Sequence, residues 1–153
     1  MGKMICFDMD GTIADLYGVK GWLNALHNED ATPYAVAKPM WDMEKLREVL
    51  LALANEGWEI RVITWLSKDS TEEYKDKVRA AKLEWLKRYN FPVEKAHLVA
   101  YGTTKANAIR RSRPDYAILV DDNAKVRNGW HMGGTINPTE VDLINELWEL
   151  VEG

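Results

Sequence analysis

Two aspartates stand two residues apart in DMDGT, residues 8–12, directly after the apolar run KMICF. A tight turn readily uses Gly and one Asp; a second acid on the same side of the chain is surplus to a turn. Another acidic pair, Asp121 and Asp122, follows the apolar run YAILV, and Thr64 ends a third strand-like stretch, EIRVIT. If these runs are neighbouring strands, Asp8, Asp10, Thr64, Asp121 and Asp122 share one edge of a sheet. Carboxylates gathered there repel, because two unit charges about 4 Å apart cost roughly 4 kcal/mol at an effective dielectric of about 20. Raised pKa values or a bound cation must relieve that repulsion. His27, His97 and His131 are scattered and Cys6 is the lone cysteine, so the available ligands are hard oxygens, which suit Mg²⁺ rather than zinc. Neutralised in this way, the edge can accept a phosphate dianion. Gly11 lets backbone N–H groups approach it, Thr64 offers a hydroxyl and Lys105 a positive charge.

The hydrophobic pattern shows which elements would carry these residues. Lys3–Phe7 reads as a buried strand. Residues 17–40 are irregular, with Gly18, Gly21, Pro33 and Pro39. From about Asp42 a helix places Met43, Leu46, Leu50 and Leu53 on one face, with Gly57 placed to end it. Strand Glu59–Thr64 follows. Ser70 and Glu73 form a capping-box pattern for a long helix to about Tyr89, with Tyr74, Val78, Ala81 and Trp85 as its apolar stripe. Ala96–Ala100 predicts a strand, Lys105–Arg111 a short helix, Tyr116–Val120 a strand, and Thr135-Ile136 a last short one. Asn137, Pro138 and Glu140 then predict a capped final helix burying Val141, Ile144, Leu147, Trp148 and Val151. Alternating strands and helices predict an α/β fold: a three-layer, doubly wound (Rossmann-like) parallel sheet with helices on both faces. In such sheets ligands bind beyond the carboxyl ends of the strands.

At 153 residues the chain is expected to be a single domain, 1–153, with a small insertion at about 16–42 after the first strand. A net charge of −4 excludes a polycation, so a nucleic-acid contact would need a local patch. The apolar start is broken by Asp8 and Asp10, no run reaches membrane-spanning length, and one cysteine makes no internal disulfide. A cytoplasmic location without a membrane partner is the expectation.

The order DMDGT, RVIT, GTTKANAI and ILVDD resembles the haloacid-dehalogenase (HAD) superfamily over nearly the whole chain. The resemblance implies that Asp8 is a nucleophile forming an aspartyl-phosphate. Asp10 would be the general acid and base, also giving a backbone carbonyl to Mg²⁺. Gly11, Thr12, Thr64 and Lys105 would bind phosphate. Asp8, Asp10, Asp121 and Asp122 would form the metal site, with Asp122 in direct contact and Asp121 its partner. An acid two residues after the nucleophile fits hydrolysis of phosphate esters, and the segment at 16–42 would be a small cap. GTTKANAI before ILVDD, with GGTINPTE near the end, is most similar to the 5′(3′)-deoxyribonucleotidase-type group. That similarity implies a nucleoside monophosphate as the small phosphorylated substrate. Two alternatives stay open: a polynucleotide 3′-phosphatase, suggested by DDNAKVRNGW, and a HAD-fold binding protein without turnover.

Several residues have two readings. Lys82, in the long helix, competes with Lys105 as the phosphate lysine. Lys75, Arg79 and Lys82, with Arg110, Arg111 and Arg113, form either a basic patch or a solvated face. Trp22, Trp41 and Trp65, with Tyr34, either stack on a substrate ring or pack the insertion. Oligomeric state has no signature in the sequence.

Overall fold

The computed structural model describes residues 2–153. In chain order the elements are β1 (Lys3–Phe7), β2 (Ala14–Asp15), α1 (Trp22–His27), α2 (Thr32–Val36), β3 (Lys38–Pro39), α3 (Met43–Asn55) and β4 (Trp58–Trp65). There follow α4 (Glu72–Arg88), β5 (Lys95–Val99), α5 (Lys105–Ile109) with a 3-10 turn at Arg110–Ser112, β6 (Tyr116–Val120), α6 (Ala124–Asn128), β7 (Thr135–Ile136) and α7 (Leu143–Glu152).

The main sheet runs β5-β4-β1-β6-β7, and every pairing in it is parallel. After β1 the chain builds outward through β4 and β5, then returns to the other side of β1 for β6 and β7. The β1–β6 boundary is therefore the switch point, where a crevice opens beyond the strand ends. Phe7 pairs with both Val62 and Val120, which brings Asp8 and Asp121 abreast one residue further on.

Both faces of the sheet are covered, which is why the central strand β1 and its neighbour β6 read as near-continuous apolar runs. Ile5, Phe7, Ile60, Val62, Ile118 and Val120 pack with Leu46, Leu50 and Leu53 of α3, Trp85 of α4 and Leu147 of α7. On the other face Met4, Cys6, Ile63, Ala117 and Leu119 pack with Ile109 of α5, Val126 of α6 and Trp130. Each fully buried Leu or Val contributes roughly 1.5–3 kcal/mol. Among the described residues no helix is long and apolar enough to cross a membrane.

Three local expectations shift. Residues 17–40 are not irregular: they form α1 and α2, and β2 pairs antiparallel with β3. The cap of α4 is Thr71, whose Oγ1 accepts from Tyr74 N at 3.2 Å, while Ser70 Oγ donates to Lys68 O. The last helix starts at Leu143 under an Asp142 cap. Asn137 instead accepts from the N–H and hydroxyl of Thr139, closing an Asx turn before the helix.

Candidate active site

Asp8 leaves β1 with its N–H donating to Val120 O (3.0 Å), and the residue is buried, 8% exposed. Its Oδ1 accepts from Lys105 Nζ at 2.9 Å and its Oδ2 from Thr12 Oγ1 at 3.1 Å. Lys105 enters from the first turn of α5 and also donates to Asp121 Oδ2 at 2.8 Å. Burial opposes the charge on Lys105, but Asp8 and Asp121 outweigh it and hold its pKa above the ordinary lysine value. Ligand oxygens of Asp8, Asp121 and Asp122 all lie within 4.8 Å of one another.

That cluster fits a small divalent cation. Octahedral Mg²⁺–oxygen distances of about 2.0–2.1 Å separate ligand oxygens by about 3–4 Å, a slight closure of the arrangement seen. The acids also show the strain expected when, among the described residues, Lys105 is the one cation paired with them. Burial, then the charge of Asp8, raises the pKa of Asp121 and pushes that of Asp122 up to about 7.

Asp10 stands apart. It accepts at Oδ2 from Lys82 Nζ (3.0 Å) and is not among the clustered carboxylates, so a contribution from Asp10 to a cation would come from its main-chain carbonyl. Burial raises its pKa, partly offset by Lys82 and reinforced by Asp8. Lys82 is 1% exposed and also donates to Thr64 Oγ1 (2.7 Å) and Trp65 O (2.8 Å). The two lysines that compete in the sequence thus both reach the site, on different aspartates. Lys82 accordingly leaves the basic face it would share with Lys75 and Arg79. These two are exposed or half-exposed and paired within α4, to Glu72 at 3.4 Å and Asp76 at 2.6 Å.

Gly11 and Thr12, expected at the phosphate, stand behind the carboxylates. Gly11 N donates to Ala14 O and Thr12 N to Met9 O, so neither amide is available to a ligand. Gly11 is needed for a different reason: its φ is 81°, and an added Cβ would lie 2.4 Å from Asp122 Oδ2. The Thr12 hydroxyl is fully buried between Asp8 and Asp122 and accepts from Asp122 N at 3.2 Å.

A cavity of about 360 Å³ opens over these groups. Asp8, Asp10, Thr64, Lys105, Asp121 and Asp122 form its floor, and Tyr17, Trp22, Tyr34, Trp65 and Tyr101 its aromatic wall. Trp22 meets Tyr17 edge-on at 5.1 Å, and Trp65 is 5.0 Å from Tyr101. Trp41 is not in that wall; it donates to Thr12 O at 2.8 Å and packs against the core, bracing the loop from behind. Tyr17 and Tyr101 carry no motif that singles them out in the sequence. Ser67 also lines the cavity, with a buried hydroxyl that has no partner among the described residues.

Residues 22–37 are tied to α4. Glu29 accepts from Thr71 N and Oγ1 (3.0 and 2.9 Å), Ala35 O from Arg88, and Ala37 O from Trp85 Nε1 at 2.8 Å. The same helix therefore supports the aromatic wall and delivers Lys82.

No family model matches the chain, and no curated protein matches it. Among solved structures it is similar to D,D-heptose 1,7-bisphosphate phosphatase from Burkholderia thailandensis, with a TM-score of 0.58, 13% identity and 99% of each chain covered. At that identity the likeness is one of fold: this chain shares the fold of that phosphatase over essentially its whole length.

Proposed function

We propose that the protein is a Mg²⁺-dependent phosphomonoester hydrolase of the HAD type, acting through an aspartyl-phosphate on nucleoside monophosphates. The observation that carries this reading is the separate seating of two neighbouring carboxylates. Asp8 lies in the acidic cluster under Lys105, and Asp10 lies outside it with a raised pKa. One is placed beside the cation site to attack; the other is placed to hold and move a proton.

Asp8, Asp121 and Asp122, with the Asp10 carbonyl, would hold Mg²⁺, which when bound neutralises the cluster and an entering phosphate. Lys105 and the Thr64 hydroxyl would bind phosphoryl oxygens. An Asp8 oxygen attacks phosphorus, the bond to the leaving oxygen breaks, and that oxygen takes the proton of Asp10. Asp10 then takes a proton from water, whose oxygen attacks phosphorus and frees Asp8 and inorganic phosphate. The segment carrying Tyr17, Trp22 and Tyr34 acts as a small cap. Its aromatic rings, with Trp65 and Tyr101, offer faces on which a nucleobase can stack, typically worth about 1–3 kcal/mol per base.

The test is phosphate release with Mg²⁺ from nucleoside and deoxynucleoside monophosphates, sugar phosphates, an aryl phosphate and a 3′-phosphorylated oligonucleotide. Preference for one mononucleotide group supports the proposal. Preference for the oligonucleotide, falling steeply with salt, would replace the substrate class, and Mg²⁺ binding without any turnover would replace the enzyme by a binding protein.

A further inference from the structure

Lys82 is an unusual helix residue. The rest of the polar surface of α4 is laced with pairs such as Lys77–Glu73 and Arg88–Glu84, at 3.8 and 3.7 Å. Lys82 instead turns inward, to 1% exposure, and finds three acceptors for the three N–H bonds of an ammonium: Asp10 Oδ2, Thr64 Oγ1 and Trp65 O. The ring of Tyr34 lies 5.2 Å from Nζ on a further side. Such an arrangement has no rotational freedom left. It joins the loop after β1 to the end of β4 through one fully satisfied buried cation.

Two consequences follow for the groups it holds. Asp10 is fixed through Oδ2, so Oδ1, which accepts no bond from a described residue, is the oxygen left to face the cavity that Asp10 lines. Thr64 accepts the Lys82 proton at Oγ1, so its own hydroxyl hydrogen must point elsewhere, and Thr64 also lines the cavity. Lys82 therefore sets which Asp10 oxygen and which Thr64 donor are presented. It also keeps Asp10 separate from the cluster of Asp8, Asp121 and Asp122, which Lys105 serves.

We infer that Lys82 is a positioning residue that aims Asp10 Oδ1 at the leaving-group oxygen, and that it does so without touching the phosphate itself. The inference rests on the phosphatase reading above. It makes the contribution of Lys82 depend on how badly the leaving group needs a proton. An alkoxide or plain phenolate must be protonated as the P–O bond breaks, whereas a nitrophenolate leaves as the anion. General-acid assistance is typically worth about 10²–10⁴-fold.

The experiment compares wild type, Lys82→Met, Lys82→Gln, Asp10→Asn and Lys82→Met/Asp10→Asn on aryl phosphates running from 2,4-dinitrophenyl to phenyl phosphate, with Mg²⁺. The readout is kcat/KM, which reports steps up to departure of the phenol. The ratio between two substrates on one preparation cancels any loss of folded protein. In Lys82→Met, phenyl phosphate should lose about 10²-fold or more and the dinitrophenyl ester under about 10-fold. Lys82→Gln, which retains N–H donors, should fall between. The double variant should be no worse on phenyl phosphate than Asp10→Asn, because both changes remove one function. A uniform loss across the series in the Lys82 variants, or additive losses in the double variant, would overturn the inference. Wild type inactive on every ester would remove the phosphatase reading and the inference with it.

Discussion

Asp8 and Asp10 are two residues apart in the chain, yet each is held by a different lysine: Asp8 by Lys105 at 2.9 Å and Asp10 by Lys82 at 3.0 Å. Lys105 comes from α5, which packs on one face of the sheet, and Lys82 from α4, whose Trp85 packs on the other. The two acids are thereby given different environments by opposite layers of the fold, which is how chemically identical groups come to do different work.

Asp8→Asn should remove turnover entirely, because an amide oxygen is too poor a nucleophile to form the acyl-phosphate. Mg²⁺ binding should survive in weakened form through Asp121 and Asp122. Acid-quenched wild type incubated with substrate should carry one phosphoryl group by mass spectrometry, and Asp8→Asn none. A phosphorylated Asp8→Asn protein would remove Asp8 from the nucleophilic role.

Gly11→Ala tests the space behind the acids. The new Cβ would sit 2.4 Å from Asp122 Oδ2, and a φ of 81° is itself strained for a residue with a Cβ. Strain of about 1–3 kcal/mol is expected, seen as a lower Tm, and Asp122 must move away. Isothermal titration should show Mg²⁺ affinity reduced about 10-fold or more, the effect of about 1.4 kcal/mol. An unchanged Mg²⁺ affinity would show that Asp122 does not depend on that clearance.

The acidic cluster makes metal-free stability pH-dependent with a definite sign. Asp121 and Asp122 have raised pKa values, Asp122 up to about 7, so above the ordinary Asp value of about 4 the folded state binds more protons than the unfolded state. Stability then falls as pH rises through that window. Thermal melts of metal-free protein should show this decline. Asp122→Asn should flatten it, and Mg²⁺ at 100 times its Kd should add about 2.7 kcal/mol. A metal-free Tm that climbs from about pH 4 to about pH 7 would contradict the assignment.

The three tryptophans should separate by substrate. Trp22→Ala and Trp65→Ala remove cavity wall and should raise KM for nucleotides about 5- to 100-fold, in line with base stacking, while sparing a small aryl phosphate. Trp41→Ala removes the donor to Thr12 O and core packing. It should cost about 2–4 kcal/mol in stability and reduce activity on both substrates alike. Equal losses for Trp22→Ala on both substrates would assign Trp22 to packing.

The sheet, its layers and the edge that collects the acids were legible in the sequence for a local reason. Buried parallel strands are short apolar runs, and Asp8, Thr64 and Asp121 lie at the ends of three of them, so their meeting follows from strand order alone. Helix starts were less legible, since Ser70 and Thr71, or Asn137 and Asp142, are chemically near-equivalent caps. Tertiary contacts chose between them: Glu29 bonds Thr71, and Asn137 closes a turn with Thr139. The five-residue α6, capped by Asn123, is too short to show a period.

Lys82 marks the boundary most sharply. A lysine among Lys75, Asp76, Arg79 and Glu84 reads either as part of a solvated helical face or as a second candidate for the phosphate, and the sequence does not choose between them. Its position on α4 places it beside Tyr74, Val78, Trp85 and Leu86, all buried, so the helix turns it inward with them. Local sequence determined that α4 is a helix and that Asp10 follows β1. Only the packing of α4 against the sheet edge and residues 22–37 decided that a cation from one would be neutralised by the carboxylate of the other. A buried ammonium must find acceptors wherever the fold supplies them.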